Sequence, residues 1–461
     1  MPDVVVDIAG GHYELGALLG SGGQGSVFAV PGRPLAVKLM HAANLADDLR
    51  SKENISRVRL LDLAGLNIAR PKCALREPHV GYVMDLMTGM VPLRTLLRPP
   101  RRQPKDPGAW YRDTGGLFRR LRLLSKLAAL LGDLHARGMV FGDASPNNVF
   151  VSEDVSHDEL WLIDADNIRE GAGRFSLYTP HYGAPELVRG EAQSDSLTDA
   201  WSFAVMAFEV LTCIHPFLDG HYVSEGEPAL EHEADCGRVP WVDEEAHGRN
   251  STTNGLSRST VLTSALQSLA NECFGASRMD RKVRPGVSRW RNALTDAMDL
   301  VVQCNSCQQT YWGTEQRCPW CDAQRPTVVR AVMYLRDQSL VDETRNPGSL
   351  VAREAGKPTA QSQLLIQAGR QTVFTSRHFG VGESDEVQVV ATLLNNTVVF
   401  EGQSQCKVRL WEYPNGTARD LAGRQEQFAF RNGRTPFWLL PAEARGVHRV
   451  FRFLLVPEAT Q

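Results

Sequence analysis

Short alternating apolar and polar runs, broken by Gly and Pro, occupy residues 13–86 and predict a small, mostly β region. Within it, the stretch from Asn44 to Leu63 has helical spacing instead. Helical periodicity dominates the middle of the chain, in the stretches 117–135, 199–214, 260–274 and 287–302. After residue 325 the pattern returns to β-prone runs separated by turns such as Pro414-Asn-Gly. The chain is therefore predicted to be α+β, with an all-β sandwich or barrel at its carboxyl end.

The bulk composition narrows the function classes. With 461 residues the chain is long enough for two to four domains, and 43% apolar and 22% charged residues are typical of a globular protein. A formal charge of −3 gives no overall attraction to nucleic acid or to anionic membranes. The longest apolar stretch, 201–214, contains Glu209 and is too short to span a bilayer, and no signal peptide follows Met1. We therefore expect a cytoplasmic protein without nucleic-acid or membrane partners.

A glycine-rich segment, Gly20-Ser-Gly22-Gly-Gln-Gly25, lies between two strand-like apolar runs. Glycines at this spacing allow the backbone to approach phosphate oxygens closely, with amide groups aimed at them. A dinucleotide-binding fingerprint needs a helix directly after the last glycine, whereas the segment that begins at Ser26 is strand-like. The pattern alone is also compatible with a plain hairpin.

A lysine follows on the next apolar strand. Lys38 comes directly after Leu35-Ala-Val, and an ammonium there can neutralise α- and β-phosphates if a carboxylate holds it. Glu53 is the candidate carboxylate, because it is in helical register with Leu49 and Leu60. A surface role for Glu53, with Asp47 or Asp48 as the partner of Lys38, is the alternative.

Three polar residues at strand ends suggest a metal-assisted reaction. Asp143 and Asn148 are five residues apart and precede a β-prone run, and Asp164 directly follows the apolar run Trp161-Leu-Ile. An Asp in the first position can accept a proton from a substrate hydroxyl, while an Asn and a second Asp can ligate Mg²⁺ through oxygen. These residues predict a phosphoryl-transfer site.

Taken together with Ala184-Pro-Glu186 and Asp199-Ala-Trp-Ser, these motifs resemble the catalytic domain of eukaryotic-like protein kinases found in bacteria. The resemblance covers about residues 10–298 and implies an amino-terminal lobe (10–86), a carboxy-terminal lobe (90–298), ATP and Mg²⁺ as cofactors, and Ser/Thr hydroxyls of a protein as substrate. It implies nucleotide contacts from the glycine loop, the first strands, the gatekeeper and the connector: Gly20, Gly22, Gly25, Val27, Ala36, Lys38, Met84, Asp85 and Met87. It further implies catalytic roles for Asp143, Lys38 and Glu53, Mg²⁺ ligation by Asn148 and Asp164, and a late pair between Glu186 and Arg284.

The chain departs from that family at three positions. Gly142 replaces the arginine before the catalytic Asp, so a phosphate on the activation loop lacks that partner, and we expect activity independent of phosphorylation at Ser176, Tyr178 or Thr179. Ser145 replaces the catalytic-loop lysine, which is compatible with a slow enzyme or an unusual substrate. Asp166 replaces the glycine of Asp-Phe-Gly; it either stiffens the metal loop or adds a further carboxylate.

Two other functions remain open at this point. The glycine before Asp143 is also similar to the loop of small-molecule phosphotransferases related to aminoglycoside kinases, although these generally lack the Ala-Pro-Glu element. A pseudokinase scaffold that binds nucleotide is the second alternative. Retention of Lys38, Asp143, Asn148 and Asp164 argues against it.

Four cysteines within 18 residues predict a metal site, in the pattern Cys304-Asn-Ser-Cys307 and Cys318-Pro-Trp-Cys321. Residues 300–325 resemble a zinc ribbon with structural Zn²⁺; an iron site and four incidental cysteines are the alternatives. Residues 326–461 are predicted to form a β-rich interaction domain. A kinase followed by such a ribbon resembles bacterial kinases associated with a PP2C-type phosphatase and a von Willebrand A-type protein, which are therefore implied partners.

Overall fold

The computed structural model describes residues 4–41, 45–100, 106–171, 178–337, 362–381, 385–412, 418–430, 434–443 and 447–457, without the side chains of 45–47, 246–247, 337 and 434–436. The chain forms two compact units, Met1–Thr295 and Asp296–Gln461. Asp47, considered above as a partner of Lys38, and Ser176, considered as a phosphorylation site, have side chains outside this description.

Up to residue 298 the chain forms short strands and helices, with most strands in the first part and most helices in the second. The strands are β1 (Val4–Val6), β2 (His12–Glu14), β3 (Leu18–Ser21), β4 (Gly25–Ala29), β5 (Leu35–Met40), β6 (Cys73–Ala74), β7 (Gly81–Asp85), β8 (Met90–Pro92), β9 (Met139–Val140), β10 (Val149–Ser152), β11 (Leu160–Leu162) and β12 (Arg169–Glu170). The α-helices are α1 (Leu45–Val58), α2 (Pro107–Asp113), α3 (Gly116–Ala136), α4 (Pro185–Val188), α5 (Ser196–Thr212), α6 (His221–Ser224), α7 (Ala229–Asp235), α8 (Arg258–Val261), α9 (Ser264–Phe274) and α10 (Val287–Met298). Short 3-10 turns lie at Leu93–Leu96, Ala165–Asn167, Glu245–Asn250, Ala276–Arg278 and Arg281–Val283.

A five-stranded antiparallel sheet of order β3-β4-β5-β7-β6 forms the amino-terminal lobe. Alternation along the strands separates two faces: Val37 and Val83 pack in a buried apolar cluster on one side. The register places Val27 and Tyr82 opposite Lys38. Side chains of directly paired residues project to the same face, so these three residues share the face opposite the Val37 cluster.

Helix α5 is the centre of the carboxy-terminal lobe. Every residue from Thr198 to Thr212 is buried, and Asp195 starts the helix with a reciprocal capping box to Thr198. Trp201 on this helix stacks on Phe217, with ring centroids 5.8 Å apart, and meets Phe274 edge-on. Because the helix is enclosed on all sides, it is a rigid base for the loops around it.

The second unit consists mainly of strands. They are β13 (Val301–Gln303), β14 (Thr310–Trp312), β15 (Val328–Asp337), β16 (Ser362–Gln367), β17 (Gln371–Thr375), β18 (Val387–Leu394), β19 (Thr397–Gly402), β20 (Val408–Glu412), β21 (Ala418–Asp420), β22 (Gln425–Ala429), β23 (Arg434–Pro441) and β24 (Val447–Val456), with one short helix, α11 (Ser376–Phe379).

Strands β13 and β14 form a hairpin, and the remaining strands form two antiparallel sheets. The orders are β16-β15-β24-β23-β20-β21 and β17-β18-β19-β22. The two sheets share one buried core, in which Phe400 of the smaller sheet and Phe453 of the larger have ring centroids 5.0 Å apart. The predicted α+β class and the β-rich carboxy-terminal region are confirmed. Among the described residues, no helix is both long enough and apolar enough to cross a membrane.

Candidate active site

The ammonium of Lys38 is buried between two carboxylates. Lys38 Nζ lies 3.0 Å from Asp164 Oδ1 and 3.2 Å from Asp166 Oδ1. Burial by itself would lower the pKa of Lys38, but the negative charges of Asp166 and Asp164 outweigh this effect and raise the pKa above its ordinary value. Lys38 therefore carries its positive charge in a largely dehydrated site.

Glu53 is not brought to Lys38. It is exposed on helix α1, whereas Ile55 and Val58 are only 1% exposed and form the packed side of that helix. Two residues correspond to about 200° of helical rotation, so Glu53 lies opposite Ile55. Glu53 was chosen because Leu49 and Leu60 were expected to mark the packed side of the helix. That expectation was wrong, because Leu49 is 57% exposed and Leu60, two residues beyond the helix, is 87% exposed. Among the described side chains, the ion pairs of Lys38 are with Asp164 and Asp166.

The carboxylate of Asp143 accepts two side-chain hydrogen bonds. Thr179 Oγ1 donates to Asp143 Oδ1 over 2.8 Å, and Asn148 Nδ2 donates to Asp143 Oδ2 over 3.1 Å. Burial raises the pKa of Asp143, an effect that these two hydrogen bonds partly oppose and that the nearby charge of Asp164 adds to. The structure thus brings Asp143, Asn148 and Asp164 into one neighbourhood.

Helix α5 positions this loop through Asp199. The amides of Phe141 and Gly142 donate to the Asp199 carboxylate over 2.8 and 2.9 Å, and His135 Nε2 lies 3.0 Å from it. Asp199 is 1% exposed, so it is fixed by the packed helix around it. The loop that carries Asp143 is therefore tied to the most enclosed element of the unit.

The loop at residues 164–167, which the resemblance implies to be metal-binding and which is called the metal loop below, has an unusual backbone. Asp164 has φ 60° and ψ 45°, in the left-handed region that non-glycine residues rarely adopt. Its side chain is 26% exposed, whereas that of Asp166 is 5% exposed. A strained residue of this kind is common at functional sites. The geometry leaves Asp164 partly accessible to a ligand and encloses Asp166.

The glycine loop approaches the metal loop at its tip. Gln24 Nε2 donates to Asn167 Oδ1 over 3.3 Å. Gln24 Oε1 and Asn167 Nδ2 are buried and lack a hydrogen-bond partner among the described residues. The hydrogen bond between Gln24 and Asn167 joins the tip of the glycine loop to the loop that carries Asp164.

The three predicted loop glycines differ in environment. A Cβ on Gly25 would lie 2.4 Å from the Leu39 carbonyl oxygen, so the close approach of β4 and β5 requires glycine there. A Cβ on Gly20 or Gly22 would meet open space, and both residues are exposed. Of the three glycines, only Gly25 is therefore required by close packing in this structure.

Of the remaining residues predicted to contact the nucleotide, Ala36 and Met84 lie on the Lys38 face of the sheet. Ala36 pairs with Met84 in the register, and both are two positions from the Lys38–Tyr82 pair. Ala36 is 1% exposed, while Met84 and Met87 are half-buried. Asp85 is exposed and its side chain pairs with Lys72.

Tyr82 and Asp166 form a buried pair that the sequence pattern did not indicate. The Tyr82 hydroxyl donates to Asp166 Oδ1 over 2.9 Å, and both residues are buried. The sheet register sets Tyr82 opposite Lys38, and these residues are too far apart in sequence for a local pattern to indicate that they pair.

A buried ion pair holds helix α4 in place. Arg284 Nη1 and Nη2 donate to the two carboxylate oxygens of Glu186 over 2.7 and 2.9 Å. The Arg284 side chain is 0% exposed and also donates to the carbonyls of Leu197 and Ser277. Helix α4 is thus linked to the start of α5.

In the second unit, the sulfurs of Cys304, Cys307, Cys318 and Cys321 all lie within 4.8 Å of one another. The Cys304–Cys321 and Cys307–Cys318 distances are 3.6 and 3.7 Å. A tetrahedral zinc site with Zn–S bonds of about 2.3 Å has sulfurs about 3.8 Å apart. The described cluster therefore fits a four-thiolate structural zinc site.

Comparison with known proteins agrees with this geometry. The protein kinase domain model matches residues 13–292. CBL-interacting protein kinase 4 of Oryza sativa subsp. japonica is 29% identical over 252 residues, which are 51% of this chain and 52% of that protein. Serine/threonine-protein kinase pkn2 of Myxococcus xanthus is 29% identical over 232 residues, 45% of this chain and 25% of that protein. The match thus spans about half or less of these relatives. Since the family model covers more than half of the chain, the chain belongs to the protein kinase domain family.

Proposed function

We propose that the chain is an ATP- and Mg²⁺-dependent protein kinase that phosphorylates Ser or Thr hydroxyls of a protein substrate. The observation that carries this proposal is that Asp143, Asn148 and Asp164 lie in one neighbourhood, next to the buried ammonium of Lys38. The tip of the glycine loop contacts the same neighbourhood through Gln24 and Asn167. One relative, pkn2 of Myxococcus xanthus, is named as a serine/threonine-protein kinase, which supports the same substrate class.

The described residues divide the chemistry among them. Asp143, oriented by Thr179 and Asn148, would accept the proton of the substrate hydroxyl. Asn148 and Asp164 carry the oxygens suited to Mg²⁺, which when bound neutralises charge on the phosphate oxygens. Lys38 would bind phosphate oxygens through its ammonium, and the glycine loop would exclude water from them.

The test is incubation of the purified chain with radiolabelled ATP, Mg²⁺ and a protein extract. We expect label on discrete protein bands, and Asp143→Asn to lower the rate of transfer about 10²- to 10⁴-fold, because it removes the proton acceptor while keeping the side-chain shape. Label that appears only in acid-soluble metabolites would instead support a small-molecule phosphotransferase. Nucleotide binding without any transfer would support a pseudokinase scaffold.

We propose further that activity does not depend on phosphorylation of the activation segment. Gly142 stands at the position of the arginine that would pair with a loop phosphate in the family. In the same assay, chain treated with a phosphatase that is then removed keeps its initial rate within about twofold. A lag that disappears with preincubation in ATP is the opposite result.

The four cysteines are proposed to hold a structural Zn²⁺ that organises the hairpin β13–β14 and the loop after it. Cys304 and Cys318 are buried together with Val302 and Tyr311 in a small apolar cluster. A metal bound there would contribute folding free energy of roughly 10 kcal/mol. Association with a PP2C-type phosphatase and a von Willebrand A-type protein stays a prediction from the resemblance.

A further inference from the structure

Lys38 has two carboxylate partners of different character. Asp164 is partly exposed, whereas Asp166 is enclosed and receives a hydrogen bond from the Tyr82 hydroxyl over 2.9 Å. Both Asp166 oxygens lie near the ammonium, at 3.2 and 3.4 Å. The lysine therefore has one partner that a metal could reach and one that is built into the interior.

A single carboxylate serves poorly as both a metal ligand and the partner of a nearby ammonium, because the two cations compete for the same oxygens. Among the side chains of helix α1 that the structure describes, none pairs with Lys38, and Glu53 lies on the exposed side of the helix. Asp166 is the described carboxylate that can stay with Lys38 when Asp164 turns to a metal.

We propose that Asp166, held by Tyr82, is the positioning residue that keeps the Lys38 ammonium directed at the nucleotide phosphates, in place of a helix glutamate. This assignment rests on the proposed function of the site. Its structural basis is the sheet register, which places Tyr82 opposite Lys38, and the short turn Ala165–Asn167, which brings Asp166 beneath both.

The two strands fix one side of this arrangement and the metal loop fixes the other. Lys38, Tyr82 and Asp166 are 3%, 0% and 4% exposed, so the contact is shielded from water. In such surroundings a charge-assisted hydrogen bond is stronger than at a surface, and loss of the charged partner leaves the lysine able to shift. Asp166 then acts on ATP through Lys38 and not by contact with the nucleotide.

The experiment is a double-mutant cycle on the full chain, read out as affinity for a fluorescent ATP analogue in the presence of Mg²⁺ and, separately, as KM for ATP and kcat. Asp166→Asn keeps the side-chain size and removes the charge. We expect it to weaken nucleotide binding and raise KM about tenfold or more, the equivalent of one charged hydrogen bond. Tyr82→Phe is expected to act in the same direction but less, about threefold, because Asp166 keeps its charge.

The background Lys38→Met separates positioning from a general structural effect. There, Asp166→Asn is expected to change nucleotide affinity less than twofold, because the lysine through which it acts is gone. Glu53→Gln in the otherwise unchanged chain is expected to retain nucleotide affinity. Circular dichroism and the thermal midpoint of each nucleotide-free variant report on its fold.

Three results would overturn the assignment. They are unchanged affinity and KM in Asp166→Asn, an equal loss with and without Lys38, and a tenfold loss in Glu53→Gln. If Asp166→Asn does not fold, the milder Tyr82→Phe with its Lys38→Met control decides between the same outcomes. If the unaltered chain transfers phosphate but the effects of Asp166→Asn and Lys38→Met are additive, this assignment alone is refuted. If the unaltered chain binds no nucleotide, the proposed function is refuted with it.

Discussion

At the scale of single residues, Gly142 shows why the loop before Asp143 departs from the arginine of the family. Its φ is +85°, in the left-handed region, and its amide donates to Asp199 over 2.9 Å. A Cβ there would meet its nearest atom, the Asn167 carbonyl oxygen, at an ordinary 3.4 Å. The constraint at this position is therefore the backbone conformation and not the available space.

We predict that Gly142→Ala lowers the free energy of unfolding by about 1–2 kcal/mol, the cost of a left-handed conformation for a residue with a Cβ. A urea titration followed by circular dichroism measures this as a lower midpoint. Gly248→Ala is the matched control, because Gly248 has open space around it and no left-handed φ. Equal midpoints for the two variants would contradict the backbone argument.

Sequence reasoning reached some residues of the site and not others for a physical reason. Asp143, Asn148 and Asp164 follow strands or precede them directly, so chain order alone places them near one edge. The choice of Glu53 as the partner of Lys38 depended on which side of helix α1 is packed. Apolar spacing indicated the side of Leu49, whereas the packed side is that of Ile55. Sequence periodicity does not distinguish a packed apolar stripe from an exposed one when both are short.

At the scale of elements, helix α4 is linked to its surroundings by the pair between Glu186 and Arg284. Arg284 also lies over the ring of Trp201, 5.0 Å from its centroid. The arginine thereby connects α4 and α5 to the turn at Arg281–Val283, which is far from both helices in sequence. The resemblance to protein kinases implied this pair, whereas its burial and its contact with α5 are seen in the fold.

We predict that Glu186→Gln destabilises the first unit by about 3–5 kcal/mol, because it leaves a buried guanidinium without its counter-charge. The thermal midpoint should fall accordingly. Adding Arg284→Met to Glu186→Gln is expected to recover part of the loss, since the unpaired charge is then removed. Strictly additive losses would show that the two side chains do not act as a pair.

At the scale of the whole molecule, the chain divides into a unit that carries the phosphoryl-transfer residues and a unit that carries the cysteines and the two packed sheets. The change from helical to β-prone pattern after residue 325 predicted the second part. The strand order of its sheets was beyond sequence reasoning, because the pairing of β15 with β24 joins residues more than a hundred positions apart. Long-range pairing of this kind leaves no local signal.

We predict that Cys318→Ser lowers bound zinc well below one equivalent per chain and unfolds the segment around β13 and β14, because three thiolates hold the ion less tightly than four. Zinc is measured by atomic emission after dialysis. Binding of the fluorescent nucleotide by the same variant is expected to change less than twofold, since its site lies in the first unit. Cys236→Ser is the control, because Cys236 is outside the cluster.

The enclosed contact of Lys38 with Asp166 has an evolutionary consequence. Position 53 is released from pairing with the lysine, so homologous chains that carry aspartate at position 166 should tolerate almost any polar residue there. Chains that revert position 166 to glycine should carry an acidic residue on the packed side of α1 instead. Covariation between position 166 and the packed side of α1, rather than invariance at either, is the signature that this architecture would leave in a family of sequences.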